Sequence, residues 1–372
     1  MSGTTAAAAA TTATATIATE VNAPSFTNQK WVLTERPNGV FDAKRDVDFV
    51  SEILPECRED EVIVETSTLS VDAFIRTMLD ENAYHGSVKL GQTLPALGVG
   101  KIVAAGSKSG KKVGQKVFGM LGAQSHAAIP AKAANPTLPF VSERSSLGLF
   151  GFSTGLTAYA GIFYCCGPPK RGQTAVVTAA AGAVGSVAVQ LAKITGARVI
   201  GIAGGAQKCA YLTEDLKLDG AIDYKSSDKT LEEQIEEMCP NGIDFIYDNV
   251  GGETLDALLN KINSNARIVI CGAISQYSGN LNHGKVRGPS NYLKLAERNA
   301  TMKGFTFMQY FMRLPFMMLG MWWYSAWGKV KMTEQVEQGI DSFAGALQKM
   351  FTGGHIGKLI VKLNNSKKDK VA

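Results

Sequence analysis

The run Ala179-Ala180-Ala181-Gly182-Ala183-Val184-Gly185 carries the clearest chemistry in this sequence. It follows the apolar stretch Ala175–Thr178 and opens a helix-period segment, Ser186–Thr195. A helix start offers unpaired N–H groups and a positive dipole end, which together suit a pyrophosphate. Gly182 and Gly185 leave room for close backbone approach and for helix–strand packing, and Ala183 and Val184 complete the candidate cradle. The pattern is AxxGxxG rather than a full GxGxxG, so its force comes from the strand before it and the helix after it. An ordinary glycine-rich turn is the bland alternative. The next strand, Arg198–Ala203, ends in Gly204-Gly205-Ala206-Gln207-Lys208. No Asp or Glu stands there to hold both ribose hydroxyls, whereas Lys208 suits a 2′-phosphate or, more plainly, a solvated helix start. Tyr224, after the following strand, would cover the adenine ribose or pack half-buried. These residues predict an NADPH site.

The elements that must position this loop are legible from about Gly155 onward. TAVVTAAA, ARVIGIAG, GAIDY, IDFIYDNV and ARIVICGAI are strand-like, with helix-period segments between them. That succession predicts an α/β fold, with a Rossmann-type doubly wound parallel sheet and right-handed crossovers. From Trp31 to about Phe150 the texture is different. EVIVETSTLSVD alternates apolar and polar residues, and LPALGVGKIVAAG and KKVGQKVFGM are short runs broken by glycine, as in a compact β-rich module. After about Lys331 come one amphipathic helix and the strand GKLIVKL, which is expected to return to the first module. The expected organisation is a tail at 1–25, a β-rich domain at 26–150, a nucleotide domain at 151–328, a returning segment at 329–363 and a tail at 364–372.

Bulk properties narrow the function. The 372 residues are 45% hydrophobic, enough for two cores, and the 39 glycines against 12 prolines favour many tight strand-to-helix turns. A net charge of +5 without a basic, aromatic-interleaved stripe argues against nucleic acid as a partner. The six cysteines (Cys57, Cys165, Cys166, Cys209, Cys239 and Cys271) form no CxxC pair, and they read as reduced thiols. The Ala/Thr-rich start lacks the features of a secretory or mitochondrial leader and reads as a disordered tail, with a plastid segment as the minor alternative. Cytoplasmic placement is the expectation. The four histidines (His85, His126, His283, His355) are scattered, and no His-Glu pair precedes the glycine of LPALGVGKIV. No metal is therefore expected, which argues against alcohol/aldehyde interconversion by a Lewis acid.

Taken together, AAAGAVGSVAVQLAK, QKCAYL, DNVGGETLD (Asp248–Asp256) and CGAISQY (Cys271–Tyr277) resemble the prostaglandin reductase branch of the medium-chain dehydrogenase/reductase superfamily. This is the zinc-free leukotriene 12-hydroxydehydrogenase/alkenal reductase branch. VDAFIR (Val71–Arg76), GLTAYAG (Gly155–Gly161) and HIGKLIVKL extend the resemblance from about Trp31 to Leu363. It implies that the β-rich domain is GroES-like and catalytic, that the protein is a homodimer, and that NADPH reduces the carbon–carbon double bond of enones and enals. Gly182, Ala183, Val184 and Gly185 would then hold the pyrophosphate, with Lys208 and Tyr224 at the 2′-phosphate end. Asn249 and the loop Cys271, Gly272, Ala273, Ile274, Ser275 and Tyr277 would line the ribose and nicotinamide, and Phe305, Thr306 and Phe307 would flank the ring. Taken alone, Asn249 reads equally as a turn residue before Gly251-Gly252. Two departures stand out. The family's Pro-Tyr is here Ala73-Phe74, so a hydroxyl at the substrate site is missing. The family's Asn before Leu-Gly-Lys is here His355 before Ile356-Gly357-Lys358, an imidazole whose charge would depend on pH if it is not simply a surface group.

Such a site would send hydride to the β-carbon of an apolar enone or enal and stabilise an enolate. Tyr277 is the candidate donor, with packing against the cofactor as the alternative. Phe74 and Arg76 are candidate substrate contacts, Arg76 reading also as a structural ion pair. A quinone reductase with the same cofactor site is the nearest rival, and a non-catalytic NADPH-binding sensor or scaffold is the rival from another class. The stretch Phe305–Trp327, FTFMQYFMRLPFMMLGMWWYSAW, is expected to form a buried dimer-interface strand and a packed helix. A lipid-like substrate wall or a peripheral membrane contact is the alternative.

Overall fold

The apolar runs predicted as buried strands assemble one sheet with both faces covered. A computed structural model describes residues 25–81, 83, 86–139, 141–278 and 286–363. The expected tails, at 1–25 and 364–372, lie outside the described residues except for residue 25, as do His85 and His283. The chain begins with the hairpin-like pair β1 (Thr27–Leu33) and β2 (Val47–Ile53), which are antiparallel. Next come β3 (Glu61–Ser70), β4 (Leu97–Ala105), β5 (Lys116–Met120), β6 (His126–Pro130) and the short β7 (Asn135–Pro136). The second unit supplies β8 (Thr174–Val177), β9 (Arg198–Ala203), β10 (Gly220–Asp223), β11 (Ile243–Asp248), β12 (Ile262–Ile270) and β13 (Thr301–Gly304). The chain closes with β14 (Glu334–Gln338) and β15 (Lys358–Lys362).

The sheet order β10-β9-β8-β11-β12-β13 is parallel throughout. Counting from β8, this is the 3-2-1-4-5-6 order of a doubly wound dinucleotide sheet, whose switch point lies between β8 and β11. Alternation along each strand feeds two cores. Ala175, Val177, Phe245, Tyr247 and Val269 pack on one face, while Val176, Ile246 and Ile268 pack on the other. The mixed sheet runs β14-β15-β3-β4-β5-β7, with β6 also paired to β3, around a third core. β15 is antiparallel to β3 (Ile360↔Ser70), so the last described strand lies against the early β-rich module.

Three details differ from the sequence reading. The helix after β8 runs Ala183–Ile194, starting before Ser186, so Ala183–Gly185 are its first turn. β13 and β14 carry no strand signal in the sequence, because TMKG and EQVEQ are too short and too polar for a core strand. No strand forms within Phe305–Trp327. A 3-10 turn, Phe307–Arg313, leads into the helix Leu314–Ala326, and that helix is buried on one side only.

Candidate active site

A cleft of about 1180 Å³ opens where the loops after the parallel strands meet the β-rich module. Gly182 to Gly185 form its floor at the switch point. Gly182 caps the helix Ala183–Ile194 with no side-chain hydrogen bond, leaving its first amides directed at whatever the cleft holds. The close approach explains the glycine at 185. A methyl there would lie 2.2 Å from the Ala179 carbonyl oxygen, and Ala179 itself sits at φ 47°. The carboxyl-terminal segment grips the same loop, since Gly357 N–H donates to Ala181 O at 2.8 Å and Gly182 bridges to Gly357.

At one end of the cleft lie Lys208, Tyr224 and Lys225. A methyl on Gly353 would sit 3.7 Å from Lys208 Nζ and 3.8 Å from Lys225 Nζ, so the two ammoniums converge on one point. Neither is in an ion pair among the described residues. Burial, with Lys225 nearby, pushes the Lys208 ammonium below its ordinary value. Two like charges held together without a counter-ion fit an incoming phosphate. Asp223, the one acid at this strand end, is already committed to the N–H groups of Gly205 (2.7 Å) and Lys225 (2.9 Å). Lys225 had no motif to announce it; its signal is a second lysine directly after the strand that ends beside Lys208.

The middle of the cleft is fixed by the loop after β11. Buried Asp248 accepts from Thr178 Oγ1 (2.7 Å), Val250 N–H and Gly251 N–H, and Asn249 Nδ2 donates to Thr178 O at 2.7 Å. Asn249 is thus tied to the glycine loop while lining the cleft. Of the next loop, Cys271, Gly272, Ile274, Ser275 and Tyr277 line the cleft, whereas Ala273 does not; it packs beneath Gly251 instead. Tyr277 Oη accepts from Ala273 N–H at 3.3 Å. His355 also lines the cleft, and its Nδ1 is buried without a hydrogen-bond partner. Burial, then the lysines Lys208, Lys358 and Lys349, lower its pKa to about 4. His355 thus lies in the cleft, as the resemblance implied, and not at the surface; contrary to the expectation of a pH-dependent charge, burial keeps it neutral near neutral pH.

The other end is apolar. Phe74, Phe152, Phe305, Phe307 and Met308 line it together with Thr306. Phe307 stacks on Phe152 at 5.0 Å, and Phe152 meets Phe118 edge-on at 5.6 Å. Arg76 is a correction. It is fully buried, pairs with Asp80 at 2.7 Å and donates to Gly39 O, so it holds the β-rich module and does not reach the cleft. Composition also concealed a buried pair that does line the cleft. Lys358 Nζ lies 2.8 Å from Asp72 Oδ1 and also donates to Val71 O, while Ser153 Oγ donates to Asp72. That network fixes β15, and with it the His355 loop, against β3. Among the described residues no group of three His, Cys, Asp or Glu is placed to hold a metal ion.

The chain is similar to known oxidoreductases over most of its length. Residues 29–137 match the family described as the N-terminal domain of oxidoreductase, and residues 183–319 match the family described as zinc-binding dehydrogenase. The chain is 31% identical to the NADPH-dependent curcumin reductase of Escherichia coli, over 90% of this chain and 97% of that one. It is 34% identical to prostaglandin reductase 1 of Rattus norvegicus, over 89% and 98%. Its fold superposes on CurA from Vibrio vulnificus in complex with NADPH with a TM-score of 0.82 and 31% identity, over 91% and 99% of the two chains.

Proposed function

The chain belongs to the zinc-free reductase branch of the medium-chain dehydrogenases/reductases, and we propose that it uses NADPH to reduce the carbon–carbon double bond of α,β-unsaturated ketones and aldehydes. One observation carries this reading. A phosphate cradle, a pair of uncompensated lysines and an aromatic, apolar recess share a single cleft. When bound, NADPH supplies the hydride that the β-carbon of the acceptor takes up.

The residues have distinct tasks. The amides of Gly182 to Gly185 hold the pyrophosphate, and Lys208 and Lys225 select the 2′-phosphate. Asn249 and the Cys271–Tyr277 loop order the ribose and nicotinamide. Phe74, Phe152 and Phe307 exclude water and orient an apolar acceptor, which is the larger catalytic contribution expected of a hydride transfer. Tyr277 Oη accepts a hydrogen bond from its own loop and lines the cleft, and a phenol can also donate one. Its task in this reading is to stabilise the negative charge that builds on the acceptor's oxygen. His355 remains neutral at working pH and offers a hydrogen bond rather than a charge.

A cytoplasmic homodimer accompanies the proposal, with the sheet edge at β13 as the place where a second copy adds. The test is NADPH consumption by the purified protein against matched enones, enals and quinones, with product identification. Saturated carbonyl product with poor NADH use supports the reading. Turnover of quinones alone, or NADPH binding with no turnover of any acceptor, overturns it.

A further inference from the structure

The helix Leu314–Ala326 is apolar all the way round, a pattern that belongs to a helix covered on every side. Among the described residues only one side is covered. Met317 and Met321 are fully buried, and Gly320 admits Tyr159 so closely that a methyl there would lie 2.3 Å from its Oη. The opposite side presents Phe316, Leu319, Trp322, Trp323 and Trp327 to solvent, each more than half exposed. At 100° per residue these fall on one continuous arc of the helix. The preceding turn continues the patch with Phe311 and the nearly fully exposed Met312. It starts at Met308, which with Phe307 also lines the cleft. The patch therefore leads to the mouth of the candidate active site.

Charge identifies what covers it. From residue 305 to residue 333 there is no Asp or Glu, while Arg313, Lys329 and Lys331 are all cationic. Three of the protein's four tryptophans lie in the same stretch. A second copy docking through this patch in a two-fold dimer would set the patch against itself, basic rim on basic rim. An anionic lipid surface complements the rim and accepts Trp, Phe and Met at the depth of its headgroups. The helix has 13 residues, about 20 Å, too short to cross a bilayer. No helix among the described residues is long and apolar enough to do so.

We propose that the outward face of Leu314–Ala326, with the turn before it, docks the protein in the plane of an anionic membrane surface. The cleft mouth then sits at the lipid boundary, where apolar acceptors partition. The docking stands on the surface alone, and only its use for acceptor delivery rests on the reductase reading.

The full-length protein is sedimented with phosphatidylcholine vesicles, with and without about a third phosphatidylserine. Binding to the anionic vesicles at least about tenfold tighter than to neutral ones, and weakened by salt, is the expected result. The double variant Leu319→Glu with Trp323→Glu should lose at least about tenfold of that binding. Both side chains are exposed and outside the cleft, so its melting temperature and NADPH affinity should match those of the parent. Light scattering on both proteins reports the oligomeric state. A parent protein that ignores anionic vesicles overturns the proposal, as does a variant that binds them equally well. A variant that falls to a smaller oligomer without any vesicle effect assigns the face to a second copy and also overturns it. None of these outcomes depends on turnover, so failure here and failure of the reductase reading are separable.

Discussion

The two ends of the cleft are built from different material. At the phosphate end the cradle is made by the backbone, with helix amides, a left-handed Ala179 and a glycine that touches a carbonyl, and the side chains of Lys208 and Lys225 stand beside it. At the acceptor end it lies in side chains, with Phe74, Phe152 and Phe307 forming a stacked but deformable wall. A backbone site has no rotamers to adjust, so a single added methyl has nowhere to go. A wall of aromatic and methionine side chains can repack around ligands of different outline. The difference teaches that one end fixes which cofactor enters, while the other sets only a class of acceptor.

The largest expected effect breaks the rigid end. Gly185→Ala places a methyl 2.2 Å from Ala179 O, with backbone on both sides of the contact. NADPH affinity should fall at least about 100-fold, and stability by roughly 3 kcal/mol. Fluorescence titration with NADPH and a thermal melt check both. If Gly185→Ala binds and melts like the parent, the phosphate end is as plastic as the other and the comparison fails. Next in size is Lys208→Ala with Lys225→Ala. It should raise the KM for NADPH about 100-fold and leave that for NADH within about twofold, because NADH lacks the phosphate the pair meets. Equal losses on both cofactors would show that the lysines shape the fold of that end.

How far this contrast was legible in the sequence follows from how local its signals are. β8 to β12 announce themselves as apolar runs, since a strand buried on both faces has no polar residues to place. The glycine loop is legible for the same reason: its geometry is made by neighbours in the chain. The Lys358–Asp72 pair spans 286 positions, and no spacing rule connects its members until β15 lies beside β3. Arg76 misled for a different reason. Its type suggested an acidic ligand, yet Asp80 stands four residues on, just past the end of the same short helix, the spacing of an internal ion pair. The tryptophan-rich helix was legible as apolar, but which of its faces would lack a cover was decided by tertiary packing.

His355, set between the ends, gives a pH test. Its value is lowered in the folded protein to about 4 from an ordinary 6.5, so between those limits the unfolded chain binds more protons. Stability from this group is complete above about pH 6.5 and is lost as pH falls through the window towards 4. The loss should be on the order of 3 kcal/mol, and His355→Asn should flatten that part of the melting-temperature profile against pH. An unchanged profile in the variant would show the imidazole to be solvated and the middle of the cleft to be open.

The smallest effect sharpens the comparison most, because Tyr277 belongs to the cofactor loop by sequence and to the acceptor by chemistry. Tyr277→Phe removes only the hydroxyl that accepts from Ala273 N–H. If that hydroxyl donates to the oxygen where charge develops, kcat should fall about tenfold, roughly 1.4 kcal/mol, with the NADPH dissociation constant unchanged. If it serves only to hold the loop, the freed Ala273 amide should loosen nicotinamide binding, and the loss should appear in KM for NADPH with kcat retained. The first result puts a hard, directed group inside the soft end of the cleft and makes it the point at which acceptors are sorted by the position of their oxygen. The second leaves the acceptor end with shape alone, and the discrimination between enone and quinone then has to come from the outline of the Phe74–Phe152–Phe307 wall.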